Sequence, residues 1–435
     1  MRINNTDSIE SESYSNKLLI VLIAVCSVSL YLIKGLGKGD RVIEIMGMSL
    51  IIFFLLLYTI YYKGAIRFKR QFSVAVILLL VFLLGSDISC QYFNGQSISL
   101  TMYQQRKLYY ILFYFLIPFL APKPEWIKNF IIYMALVGSI IYILQYFAFP
   151  TKITEAQMFR DRGTIRIFLP GAAFSQLGYF LCINEIFLNY KRKYAIVGGI
   201  LFSMIILTGF RSLVALYVLI PAIYLLISKH IKNRLLILSL AVLICISAFF
   251  AFQSIIQAMN KSAKRESSQG ADYVRVRAAA FYLHDCTQNK VSLIFGNGHP
   301  NSGSAYGERI VSYMVSMGFY LSDIGVIGTL YKYGLIFTLI MLFLLIRLIT
   351  IKVPPELNFI KLYVWMQLLL IFNTVPFYDD SAGLIVLVFM FYLIECHYNG
   401  VGEVKVAGEA AEGDSSERLR LAGGPSEAGS LVRKT

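Results

Sequence analysis

The side chains able to do chemistry gather late in this chain. Phe295-Gly-Asn-Gly-His299-Pro-Asn-Ser-Gly-Ser304 is a turn-rich stretch around one histidine. Gly and Asn tolerate positive φ, so its backbone amides can converge on an anion or a sugar hydroxyl. An imidazole there could deprotonate a hydroxyl near neutral pH. The plainer alternative is a generic turn, which Asn-Gly marks in many proteins. Just ahead, Asp272-Tyr-Val-Arg275-Val-Arg277 carries two arginines, a residue type suited to bidentate phosphate contact. On a helix these two diverge by about 200°, so they reach one ligand together only from irregular or extended backbone. Arg211, in Thr208-Gly-Phe-Arg-Ser, interrupts an apolar run, and an arginine at membrane depth needs a partner or must snorkel to the surface. Asp323 stands where polar sequence meets the next apolar run and fits a helix cap that also faces the site.

No metal site is expected. Cys26, Cys90, Cys182, Cys245, Cys286 and Cys396 are scattered without a CxxC, and no two histidines have helical ligand spacing. Asp379 and Asp380 read as a solvated loop pair. Cys90 and Cys286 both fall in predicted outer segments, as a disulfide or as two free thiols.

The elements that must position these groups are membrane helices. Of 435 residues 57% are hydrophobic and only 15% charged, with a mean hydropathy of +0.65, which excludes an ordinary water-soluble chain. The apolar residues come as blocks, and a hydrocarbon core of about 30 Å needs roughly 20 of them per helix. Spans are predicted near 18–36, 43–62, 72–88, 108–122, 129–149, 171–189, 194–210, 212–228, 235–253, 324–349, 359–376 and 381–398. The fold class is thus an all-α polytopic integral membrane protein of about twelve transmembrane helices, with a large basic outer loop late in the chain. Residues 1–17 are expected to form a cytoplasmic segment without a signal-cleavage pattern, 18–399 the membrane domain, and 400–435 a disordered cytoplasmic tail, either native or appended.

Basic clusters at 63–70, 191–193 and 229–234 place both termini in the cytoplasm. They explain part of the net charge of +15. Two outer segments hold more of it: 150–170, with Lys152, Arg160, Arg162 and Arg166, and 253–321, with Arg275, Arg277 and Arg309 among others. A basic outer surface calls for an anionic partner, although a solvated loop can simply be basic. In a membrane protein this charge does not point to nucleic acid.

In the order of these features the chain resembles the bacterial O-antigen and polysaccharide repeat-unit polymerases, and more distantly the O-antigen ligases. The resemblance covers most of 18–398 and rests on Thr208-Gly-Phe-Arg211-Ser, Phe295-Gly-Asn-Gly-His299, Ser322-Asp-Ile-Gly-Val-Ile-Gly328 and Tyr333-Gly334. An Arg followed sixteen positions later by Gly occurs in both outer segments, as Arg162 with Gly178 and Arg309 with Gly325. A ligase-type His with Gly eleven residues on is missing, since His299 leads to Ile310 and His284 to Phe295. The resemblance implies a metal-independent, cofactor-free inverting glycosyltransferase in the inner membrane, facing the periplasm. Its substrates would be undecaprenyl-pyrophosphate-linked oligosaccharides as donor and acceptor, with membrane lipid, a chain-length regulator and a flippase as further partners. His299 would be the base, Arg211 and Asp323 its catalytic companions, and Arg162, Arg166, Arg275, Arg277 and Arg309 the substrate-binding cations. An O-antigen ligase and a flippase of lipid-linked oligosaccharide are the alternatives. A flippase would keep its charges near the membrane midplane, and the spans read as holding few of them.

Overall fold

The computed structural model describes residues 5–35, 39–62, 70–161, 164–228, 253, 257, 273–287, 289–371 and 376–400. The predicted span at 235–253, Arg162 and the tail beyond residue 400 lie outside these, apart from Gln253. The order is α1 (Asn5–Ser27), α2 (Asp40–Tyr62), α3 (Ser73–Asn94), α4 (Ile98–Gln105), a 3₁₀ stretch Arg106–Leu112, α5 (Phe113–Leu120) and α6 (Pro124–Ala148). A hairpin of β1 (Met158–Asp161) and β2 (Thr164–Ile167) follows, then α7 (Ala172–Asn189), α8 (Arg192–Leu207) and α9 (Arg211–Ile227). The late part holds α10 (Val274–Ala280), α11 (Lys290–Phe295), α12 (Ala305–Met317), α13 (Val326–Thr350), α14 (Asn358–Leu370) and α15 (Ser381–Tyr398).

Among the described residues five helices, α2, α3, α6, α13 and α15, are long and apolar enough to cross a membrane. The remaining predicted spans that are described correspond to helices that fall short of that length or of that apolarity. The span at 108–122 begins earlier than its apolar run and is built from α4, the 3₁₀ stretch and α5. The break between α8 and α9 falls where Arg211 interrupts the hydrophobic run, so Arg211 opens α9.

α15 is apolar on every face, and a helix of that kind must be buried on every face. Ser381 through Cys396 are all buried, with Phe72, Tyr114, Phe130 and Phe174 among the rings packed against its phenylalanines. Close approach elsewhere relies on small residues. A Cβ on Gly178 would come within 2.6 Å of the Ala135 methyl, so α6 and α7 meet through that glycine. Gly325 does something different: with φ +54° it turns the chain into α13. The two glycines of the sixteen-residue Arg–Gly spacing therefore occupy unlike positions.

Hydrogen bonds define two ends of the bundle. At one, Ser381 donates to Ser27 O, Thr164 to Leu207 O, and the Lys34 amide to Ile153 O. At the other, Tyr392 donates to Pro122 O and Asn184 to Pro355 O, and Glu395 holds the start of α3. Glu395 accepts from the Gln71 and Phe72 amides at 2.6 and 3.3 Å and from the Tyr114 hydroxyl at 2.7 Å. It thus caps a helix whose own N-cap side chain makes no capping bond.

Residues 273–324 fold as a cap with a hydrophobic cluster of its own, centred on Ala278, Tyr282, Tyr306, Ile310 and Phe319 and resting on Cys90 and Tyr331. Cys90 and Cys286, which both touch this cluster, are free thiols.

Candidate active site

His299 sits on a loop locked to a broken helix. α13 is interrupted at Gly334, whose φ of +85° ends the regular hydrogen bonding and frees carbonyls of the preceding turn. The 296–298 backbone takes up those carbonyls: Asn297 N–H donates to Tyr331 O at 2.8 Å and Gly298 N–H to Lys332 O at 2.9 Å. The fit excludes side chains. A Cβ on Gly296 would collide with the Lys332 carbonyl, and one on Gly334 with that of Ile294. Gln96, fully buried between α3 and α4, secures the other side. Its amide donates to His299 O at 2.9 Å and accepts from Asn301 N–H at 2.9 Å and Ser304 Oγ at 2.8 Å.

The loop lines a cavity of about 310 Å³ together with Asp40, Arg41, Gln104, Gln105, Arg106, Lys107, Tyr333 and Asp379. One wall is an ion cluster. Arg106 reaches Glu44 at 2.6 Å, and Lys107 reaches Glu44 at 3.3 Å and Asp380 at 3.5 Å. On the other wall Lys332, from the broken helix, pairs with Asp379, and Tyr333 donates to the same carboxylate at 2.8 Å.

Electrostatics decide the protonation of this wall. Burial alone would push the Asp379 carboxyl up, but the Lys332 charge, His299 and the hydrogen bonds from Lys332 and Tyr333 hold it below its ordinary value. Burial and then Lys332 lower the His299 imidazole to about 4 against the opposing pull of Asp379, so the ring is neutral at pH 7. Nδ1 lies 3.3 Å from the Pro300 carbonyl. A carbonyl only accepts, which puts the ring hydrogen on Nδ1 and leaves the Nε2 lone pair available to take a proton.

Of the residues given a role in the site from sequence, the cavity lining includes His299 alone, beside Asp379, expected from sequence to be merely solvated. Arg211 heads α9, and Arg166 stacks on Phe210 at 4.8 Å, next to it in sequence. Arg160 lies over Phe149 at 5.4 Å, and the strand register puts it on the opposite face of the hairpin from Arg166. Arg275 and Arg277 lie on a regular helix, α10, where they rest against different rings, Tyr273 and Phe319. This corrects the extended segment on which their convergence depended. Arg309 is exposed on α12, and Asp323 lies in a 3₁₀ turn before α13 with its amide donating to Tyr320 O. Asp379 and Asp380 are not a solvated pair, since both are held by lysines.

The sequence reading missed Glu44, Arg106, Lys107 and Lys332. One signal was present: Glu44 and Lys332 fall inside predicted spans, where ionisable groups are costly and mark function by default. Asp87, buried in α3 and accepting from Tyr109 at 3.3 Å, belongs with them. The expectation that the spans hold few charges was thus too simple. No protein-family model matches the chain, and no curated protein matches it at a significant level.

Proposed function

We propose that this chain is an inverting membrane glycosyltransferase that polymerises lipid-linked oligosaccharide repeat units at the outer face of the plasma membrane. The observation that carries the reading is the polar cavity at one end of an apolar bundle, with His299 facing Arg106 and Lys107 across it. Nε2 of His299 takes the proton from the acceptor sugar hydroxyl, and that oxygen attacks the anomeric carbon of the donor. The bond from that carbon to the diphosphate breaks, and the electron pair leaves with the diphosphate. Arg106 and Lys107 stabilise the charge that develops there. The negative charge of bound diphosphate also raises the basicity of the neighbouring imidazole. Arg166, stacked on Phe210, and Arg211, which follows that phenylalanine, are the cations this reading assigns to the second lipid-linked substrate.

Deletion of the gene in its host, followed by analysis of the surface glycolipids, tests this reading. A polymerase deletion leaves core lipid capped by a single repeat. Bare core with polymer still on its carrier would mark a ligase, and repeats trapped on the cytoplasmic side a flippase. A normal ladder of chain lengths, with no second enzyme able to make it, would remove the reading altogether.

A further inference from the structure

Burying a guanidinium or ammonium costs several kcal/mol unless an opposite charge compensates it. In this cavity the compensation is internal. Arg106 is 9% exposed and Glu44 5%, and Glu44 is the acid that contacts both Arg106 and Lys107 among the described residues. Ion pairs join Arg106 to Glu44, Lys107 to Glu44 and Asp380, and Lys332 to Asp379, and Arg41 and Asp40 add one base and one acid to the lining, so four bases stand against four acids. A diphosphate carries at least two negative charges, so seating it on a balanced cluster leaves uncompensated charge, which is relieved most directly where an acid gives up its place beside the cations.

The acids differ in how firmly they are held. Asp379 has the Tyr333 hydroxyl as well as Lys332. The Glu44 side chain is held by its two cations, and its Oε2 has charge contact with Arg106 without a directed hydrogen bond. The Glu44 backbone is fixed, since the Tyr110 hydroxyl donates to Glu44 O at 2.8 Å, so displacement of the carboxylate needs only rotation of the side chain.

We propose that Glu44 is an internal stand-in for the diphosphate of the substrate, holding Arg106 and Lys107 until diphosphate displaces it. The inference rests on the site assigned above and adds a consequence for turnover. When the spent carrier departs, Glu44 returns to the cations and favours product release.

The test is calorimetric titration of the full chain in nanodiscs with inorganic pyrophosphate and, separately, with farnesyl diphosphate. Glu44→Gln keeps the shape and removes the competing charge, so both ligands should bind at least tenfold more tightly than to wild type, and Arg106→Gln should abolish binding. In the absence of ligand, Glu44→Gln should unfold at a lower temperature than wild type, and saturating ligand should close that gap. Equal or weaker binding by a Glu44→Gln protein that still unfolds cooperatively would overturn the proposal. Tighter binding of farnesyl diphosphate than of pyrophosphate assigns the site to a lipid carrier, and equal binding to free diphosphate; displacement of Glu44 stands in either case. Tighter binding together with a normal ladder of chain lengths in the deletion strain would sink the polymerase reading alone, and a ladder lost on deletion without tighter binding would sink the stand-in alone.

Discussion

Asp379 and Glu395 are carboxylates close in sequence at opposite ends of the same bundle. Each accepts from a tyrosine hydroxyl, Tyr333 in one case and Tyr114 in the other. They differ in what completes the set. Glu395 takes two backbone amides at the start of α3 and faces packed helices, whereas Asp379 takes a lysine ammonium and faces a cavity with a histidine across it. The first arrangement satisfies donors that would otherwise be orphaned, and the second balances a buried lysine charge at the cavity wall. Residue type does not separate structural from chemical acids here. The groups opposite them do.

The contrast can be broken most severely at His299. In reconstituted membranes His299→Ala should lower polymer formation by roughly 10²- to 10⁴-fold, the usual reach of general acid–base catalysis, without changing the unfolding temperature. Polymer at the wild-type rate would demote the cavity to a structural feature. Glu395→Ala should do the reverse. Each donor left without an acceptor costs about 1–3 kcal/mol, so thermal unfolding in detergent should begin several degrees lower while the rate per folded molecule holds. A loss of rate without a loss of stability would move Glu395 into the chemistry.

A smaller effect sharpens the same contrast through pH. The His299 imidazole is lowered to about 4 from an ordinary 6.5. Between those values the unfolded chain binds the proton that the folded ring refuses, so stability falls as pH falls through this window and levels off below it. His299→Gln should flatten that decline in a series of unfolding curves from pH 6.5 to pH 4; an unchanged slope would mean that other groups set it. Smallest of all, Arg277→Ala and Arg309→Ala change exposed cap positions and should shift stability by less than about 0.5 kcal/mol and polymer yield by less than twofold. A large loss of polymer at either would return the basic cap to the site.

Much of the scaffold was legible because burial in an apolar phase leaves long hydrophobic blocks, and α15 begins and ends where the block at 381–398 does. The His299 loop was legible too, since its glycines and asparagine announce unusual backbone. What surrounds His299 was not. Glu44, Arg106, Lys332 and Asp379 lie far apart in the chain, and nothing local says that they converge. Arg106 and Lys107 look like ordinary charges flanking a span, and Gly334 looks like a packing glycine when it actually breaks a helix. The arginines in the outer segments drew attention by number, yet an exposed arginine such as Arg309 on α12 has its charge in water, where the cost of burial does not arise.

The helix at the centre of the bundle is also the last helix described. Chains emerge from the ribosome N-terminus first, so the surrounding helices enter the membrane before the segment that fills their middle. Until Ser381–Tyr398 arrives, their inward faces have no native occupant, and the rings destined to pack on α15 meet lipid or one another. Burial of those inward faces therefore waits on the arrival of α15, and nascent chains halted before it would expose them to membrane quality control.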